Sequence, residues 1–483
     1  MQKKLLFNII LLLGVNLLIK PFWILGIDRN FQNLVGNETY GIYANLFSIS
    51  MILTMLLDFG INNFNSSTIA TDPSKLSSQF SSLISLKFLL SSLYLLLTFI
   101  WAYLYGARGE MLGFILLLSI NQVIAHFSTF IRSCITGIQL FKTDALLSAV
   151  DRFVMILLGL LMVRGIFFEV NLYYFIAIQT MGYVAVMIMG LLILFPHLTF
   201  FKFSFKWDLL RELFHKTLPY ALLSFVMLLY SRSDMLLMKK MLVNGDLENG
   251  IFASGGRLLE AANMMIGATA VIMVPFFARM ISARENLSAL SRILSTIVLL
   301  PVILFAVLCS TYNHEIMKLL SPQSSAYTAE VFGLLILCFI PYSFMYIYGS
   351  MLTAGAQLRI LNAICIIALV VNIISNLLLI PLLGAKGAAI TALITHSIVG
   401  FGKFGFAVVR LELKHPVGYY LKFIGYFVSV TGLVLVLHRL EIALEITLAI
   451  GVLFTLSWIL AFRMIGIRNE MTLLWQNIKS IKK

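Results

Sequence analysis

Apolar residues dominate this chain in blocks, and the blocks have the length of a membrane crossing. A transmembrane helix needs about 20 predominantly apolar residues. Runs of that kind fall near 5–27, 40–62, 80–105, 111–135, 146–168, 171–195, 215–241, 251–281, 288–311, 329–354, 358–382, 386–411, 418–437 and 441–465. The pattern predicts an all-α polytopic membrane protein with about fourteen spans, numbered below in that order. The divisions at Ala107-Arg108 and Gly384-Ala385 are the shallowest. No connection is much longer than about 20 residues, which leaves no room for a soluble catalytic domain.

Composition sharpens this picture. A mean hydropathy of +0.97, with 60% hydrophobic and 12% charged residues, excludes an ordinary soluble globule, in which about a quarter of residues are charged. The net charge of +14 does not point to nucleic acid, because the basic residues sit in short connections rather than in a stripe interleaved with exposed aromatics. They orient the chain instead. With the N-terminus inside, about two dozen lysines and arginines face the cytoplasm and fewer than about ten face outward. The inner set includes Lys75, Lys142, Lys202, Lys206, Arg211, Lys216, Arg284, Arg410, Lys414 and the tail Lys479, Lys482 and Lys483; the outer set includes Arg29, Arg108, Lys318 and Arg439. Both termini are therefore expected inside. The apolar run after Met1-Gln-Lys-Lys has no small-residue cleavage site and continues through Lys20-Pro21, so it reads as a first span rather than a signal peptide. Cys134, Cys309, Cys338 and Cys365 are scattered without C-x-x-C spacing and predict neither disulfides nor a zinc site.

One local pattern recurs. Gly36-Asn-Glu-Thr-Tyr-Gly41-Ile42-Tyr43-Ala44 opens span two, and Gly245-Asp-Leu-Glu-Asn-Gly250-Ile251-Phe252-Ala253 opens span eight, 209 residues later. Each copy lies in an outer hairpin before the second span of a six-span set. An even number of spans keeps both copies in the same orientation, which predicts two parallel six-helix lobes around a central cavity. The expected division is 1–200 for the first lobe, 201–415 for the second, 416–465 for two appended spans, and 466–483 for a basic cytoplasmic tail.

Charges inside the spans are the candidate chemistry, because the membrane interior disfavours them unless they face protein or a water-filled path. With a rise of 1.5 Å per residue, Lys20 lies roughly 10 Å below the outer end of span one, Arg232 roughly 13 Å below that of span seven, and Arg257 roughly 10 Å below that of span eight. Three cations are expected in one layer, with Asp234 and Glu260 close to it. Asp58 and Lys403 fall roughly 25 Å down, near the cytoplasmic mouth. Such a patch suits an anionic ligand group, and arginine suits phosphate because its planar fork donates two parallel hydrogen bonds. The structural alternative is that Arg257 and Glu260, three apart on a helix, neutralise each other while Arg232 pairs with an acid elsewhere.

Other signals carry less. Gly400-Phe-Gly402-Lys-Phe-Gly405 has the dinucleotide spacing but lies inside a span with no preceding strand, so it predicts a close helix contact. His396 is expected to be packed or hydrogen-bonded, and Asn372 and Asn376 to bond between helices. No P-loop, H-E-x-x-H or G-x-S-x-G is present.

The run Leu34-Val-Gly-Asn-Glu-Thr-Tyr-Gly41-Ile-Tyr-Ala, continuing to Leu57-Asp58-Phe59-Gly60-Ile61, resembles the first hairpin of polysaccharide-export flippases in the multidrug/oligosaccharidyl-lipid/polysaccharide exporter superfamily. Tyr230-Ser-Arg-Ser-Asp234 with Gly250-Ile-Phe-Ala, and Gly384-Ala-Lys-Gly387-Ala-Ala-Ile-Thr-Ala, are similar to that family as well. The resemblance implies a non-enzymatic transporter, without cofactor, in the inner membrane of a bacterial cell. It would carry undecaprenyl-pyrophosphate-linked oligosaccharide, an O-antigen or other polysaccharide precursor, from the inner to the outer leaflet. Its implied partners are that lipid-linked substrate, membrane lipids and polysaccharide polymerase or export proteins, with no nucleic acid. It also implies that Lys20, Arg232 and Arg257 bind the pyrophosphate, and it leaves Asp58, Asp234 and Glu260 to support them or couple an ion. Span two offers no cation here, which departs from the lipid II flippases. A multidrug/cation antiporter of the same superfamily is the alternative, and a membrane glycosyltransferase or polymerase a more distant one.

Overall fold

The computed structural model describes residues 18–166, 169–200, 203, 207–322 and 324–464, without the side chains of 63, 207–217, 219–220, 268–272 and 275. The start of span one, the basic tail, and the side chains of Lys202, Lys206, Arg211 and Lys216 lie outside that description. Among the described residues the chain is helical throughout, and eleven helices are long and apolar enough to cross a membrane. Spans one, two and eight fall outside that set for separate reasons. Span one is described only from residue 18, span two is broken, and span eight, Gly245–Ser282, includes positions 268–272 and 275, whose side chains are outside the description. The eleven correspond to expected spans three to seven and nine to fourteen.

Glycine resolves the two shallow divisions. Gly106 (φ 108°) ends span three at Tyr105, Gly109 (φ 55°) precedes span four at Glu110, and Gly384 (φ 59°) separates Leu358–Leu383 from Ala385–Arg410. A residue with a Cβ is strained at such angles, so the helix stops there. In span ten the break falls at Cys338, between Ala326–Leu337 and Phe339–Ala354. Pro341 explains it, since its ring excludes the hydrogen bond to the carbonyl four residues back, that of Leu337.

Span two departs most from expectation. The predicted run 40–62 is three helices, Asn37–Ile52, Met55–Asp58 and Ile61–Thr71, with Phe59 (φ 42°) and Gly60 (φ 73°) left-handed between the last two. Span one holds a π-helical turn, Trp23–Asp28, just after Lys20-Pro21.

The chain separates into two compact units, Met1–Gly250 and Ile251–Lys483. In the first, spans four, five and six pack together, and span seven lies along the first piece of span two. The boundary falls inside span eight because its first turn is bound into this unit. Asn45 and Asn249 both donate through Nδ2 to the carbonyl of Met235, at 3.1 and 3.0 Å. The two copies of the repeated pattern also touch reciprocally. A Cβ on Gly41 would lie 1.7 Å from the carbonyl oxygen of Asp246, and one on Gly250 would lie 1.8 Å from that of Asn37.

In the second unit, spans ten, eleven and twelve form the centre and spans thirteen and fourteen dock on span nine. Tyrosines hold that docking. The hydroxyl of Tyr419 donates to the carbonyl of Arg292 at 2.8 Å, that of Tyr312 to Ile442 at 2.7 Å, and that of Tyr426 to Leu300 at 3.2 Å. Tyr426 also pairs with Thr455 at 2.6 Å and so joins the two appended spans. The outer faces of spans thirteen and fourteen stay apolar and exposed, as lipid contact requires.

Candidate functional site

Lys20 comes into position through the irregularity of span one. It stands next to Pro21 and a few residues before the π turn, which adds a residue to the local repeat and shifts the face that preceding side chains present. The lysine is half-buried and makes no hydrogen bond or ion pair among the described residues. The charges within its electrostatic reach are Asp151, Arg152 and Arg132, from spans five and four. Sequence reasoning passed over these residues, although Asp151 and Arg152 carry the same signal as Arg232, a charge well inside an apolar run.

Arg132 and Asp144 form an ion pair at 2.6 Å between spans four and five. Arg152 is held more loosely. Its Nε stands 3.8 Å from the carboxylate of Asp151, its Nη1 approaches the sulfur of Met155 at 3.1 Å, and its guanidinium lies 6.0 Å from the ring centroid of Tyr183. Tyr183 is also a hydrogen-bond partner of this guanidinium, but a thioether, one tyrosine hydroxyl and a distant carboxylate still leave several of its five N–H donors for another acceptor.

The other predicted residues are placed as follows. Arg232 is half-buried, with its guanidinium 5.6 Å from the ring centroid of Phe47 on span two, a cation–π distance. Asp234 is buried two residues further along. Arg257 is buried and belongs to the second unit, whereas Glu260 is exposed and makes no bond among the described residues. The alternative in which Glu260 neutralises Arg257 therefore does not form, because one side chain is buried and the other exposed.

Asp58 sits at the break in span two. Its Oδ1 accepts the backbone N–H of Asn62 at 3.3 Å, at the start of the helix Ile61–Thr71. Lys87 of span three, unnoticed in the sequence, is 2% exposed and donates to the carbonyls of Leu57 at 2.8 Å and His126 at 3.3 Å. It takes up a backbone oxygen that the broken helix leaves without its usual partner, and it lies 5.5 Å from the ring centroid of Phe130. In the second unit, Lys403 is buried against Gly349, and the ring Nε2 of His396 bonds to the hydroxyl of Tyr342 at 3.0 Å. Asn372 donates to Thr395 and Asn376 to Asn372, at 3.2 and 3.1 Å. Gly400 lies against the backbone of Pro341, where a Cβ would come 2.3 Å from the carbonyl oxygen. That is the close helix contact expected of this glycine.

A family model described as polysaccharide biosynthesis protein matches residues 5–281. Among solved structures, the lipid II flippase MurJ in an inward-closed conformation is similar over 95% of this chain and 97% of its own, with a TM-score of 0.67 and 15% identity. An inward-facing multidrug resistance MATE family transporter of the MOP superfamily is similar over 84% of this chain and 98% of its own, with a TM-score of 0.64 and 14% identity. A MOP superfamily transporter from Pyrococcus furiosus, whose binding pocket is described as reversed in polarity, is similar over 85% and 95%, with a TM-score of 0.57 and 14% identity. No curated protein matches the chain. At such identities the likeness is one of fold.

Proposed function

The chain belongs to the polysaccharide biosynthesis protein family, and from that membership we propose that it is a flippase for undecaprenyl-pyrophosphate-linked oligosaccharide. It moves this precursor from the inner to the outer leaflet of a bacterial inner membrane, with both termini in the cytoplasm. Residues 1–200 and 201–415 act as the two alternating lobes, and Lys20, Arg232 and Arg257 receive the pyrophosphate. The observation that carries this reading is Lys20, an ammonium within the membrane that no carboxylate binds among the described residues. Such a charge persists where an anion visits it.

The energetics run in the required direction. A pyrophosphate diester carries about two negative charges, and each gains roughly 2.3 kcal/mol per 100 mV when moved outward down the gradient of an inside-negative membrane. The emptied cationic site is drawn back inward by the same field. Alanine at Arg232 and Arg257 together is expected to abolish polymer export while the protein still inserts into the membrane. Normal export by that double variant overturns the site. A cation or drug antiporter is the second reading, supported by the fold shared with MATE transporters. It predicts dye efflux driven by protons or sodium and lost when Asp58, Asp234 or Glu260 is neutralised, with polymer export untouched.

A further inference from the structure

The first unit contains cations that no part of the foregoing function uses. Arg132 lies five residues from the inner end of span four at Gly137, about 8 Å deep, and Arg152 lies eleven residues from either end of span five, about 16 Å deep. Lys20 is within electrostatic reach of both. Three cations face two carboxylates, Asp144 and Asp151, and their bonding weakens with depth. Arg132 holds Asp144 at 2.6 Å, Arg152 meets Asp151 at 3.8 Å, and Lys20 holds nothing among the described residues. An arrangement built only to tie spans four and five together by charge would not leave the deeper two without a close carboxylate, even with Tyr183 hydrogen-bonded to Arg152. Arg132 alone fits that purpose.

We infer that Arg132, Arg152 and Lys20 form a stepped path for phosphate oxyanions from the inner end of the first unit to mid-membrane, with Arg152 as its principal binding group. At the first step an arriving phosphate exchanges with the Asp144 carboxylate on Arg132, one oxyanion for another, so the guanidinium is never left bare. At the second the anion meets Arg152. Tyr183 beside the guanidinium limits its freedom, and the Met155 sulfur, a weak acceptor, yields its donor readily. Lys20 supplies the second charge of a pyrophosphate. This inference rests on the flippase reading for the identity of the anion, whereas the path itself rests on the bonding of the three cations.

The test uses the full-length protein in nanodiscs of neutral lipid, with inorganic pyrophosphate as the probe. Arg152→Met is expected to weaken binding at least tenfold. Arg152→Lys should retain part of it, since a point charge replaces the fork. Arg132→Met should slow association more than it speeds dissociation. Unaltered pyrophosphate affinity in Arg152→Met, in protein whose helical content and melting match the parent, overturns the path, and Arg152→Lys serves the same purpose if the methionine variant does not fold. Competition by a short-chain polyprenyl pyrophosphate identifies the substrate head group as the occupant. Competition by phosphatidylglycerol alone identifies a bilayer lipid and overturns the assignment. If Arg152 governs pyrophosphate binding but vesicles flip no lipid-linked glycan, the path stands and the flippase reading falls. Normal flipping by Arg152→Met has the opposite meaning.

Discussion

The reciprocal contact of Gly41 and Gly250 can be broken by a single methyl. Alanine at Gly41 would place a carbon 1.7 Å from the carbonyl oxygen of Asp246, and alanine at Gly250 one 1.8 Å from that of Asn37. Carbon and carbonyl oxygen sit comfortably at about 3.3 Å or more, so the two backbones must part by roughly 1.5 Å. Neither obstacle is a flexible side chain. Overpacking of this kind costs about 1–3 kcal/mol, and a backbone obstacle puts both variants at the upper end. One separation relieves both clashes, so the double variant should cost less than the two single costs added, by about 0.5–3 kcal/mol. Gly113 is the control, because nothing lies within 4 Å of its Cβ position and alanine in a helix is favoured there by about 0.5–1 kcal/mol. Unfolding of the purified protein in detergent, by heat or by added denaturing surfactant, reads all four variants. Stability of Gly41→Ala or Gly250→Ala equal to that of Gly113→Ala, or strict additivity of the pair, would refute the contact.

Lys87→Met should destabilise the protein by about 1–3 kcal/mol, because the carbonyl of Leu57 loses a buried partner; detergent unfolding measures it, and an unchanged midpoint contradicts the role assigned to this lysine. Tyr426→Phe removes the bond to Thr455 and should cost about 0.6 kcal/mol, at most about 1.7, read as earlier proteolysis of the last two spans. In the loop between spans twelve and thirteen, burial and then Arg292 hold the pKa of His415 below its ordinary value, and its ring bonds to Ser291 and Tyr420 at 2.8 and 3.1 Å. The unfolded chain therefore takes up a proton first as pH falls through about 6.5. Wild type should lose stability relative to His415→Gln across that range, and parallel pH profiles would count against it.

Most of the helical order was legible because each span is long, apolar and bounded by a glycine or by polar residues, as at Gly384 and at the Asn244-Gly245 turn. Span two was legible only in part. Its sequence reads as one run to residue 62, yet Phe59 and Gly60 turn left-handed and the helix resumes to Thr71. Nothing local reveals how such a break is tolerated within a membrane, where a free carbonyl has no water. The answer is Lys87, a residue of the next span, and periodicity cannot report a bond between residues 30 apart.

The candidate site was half legible for a related reason. Counting depth from the outer ends singled out Lys20, Arg232 and Arg257, but depth along a helix says nothing about which side of it a residue faces. Charge on a membrane helix admits two outcomes, and the bonding of each lysine separates them. Lys87 has two carbonyls and the face of Phe130, so its charge is already solvated by the fold and its removal should be felt as lost stability. Lys20 has no such hydrogen bonds among the described residues, and of the charges that reach it Asp151 favours the ammonium whereas Arg152 and Arg132 oppose it. Removing Lys20 should therefore leave the fold as stable as before or more so, while weakening whatever anion comes to it. Opposite signs for the two lysines, in the same unit of the same protein, are what a bound anion requires and what mutual packing of charges cannot produce.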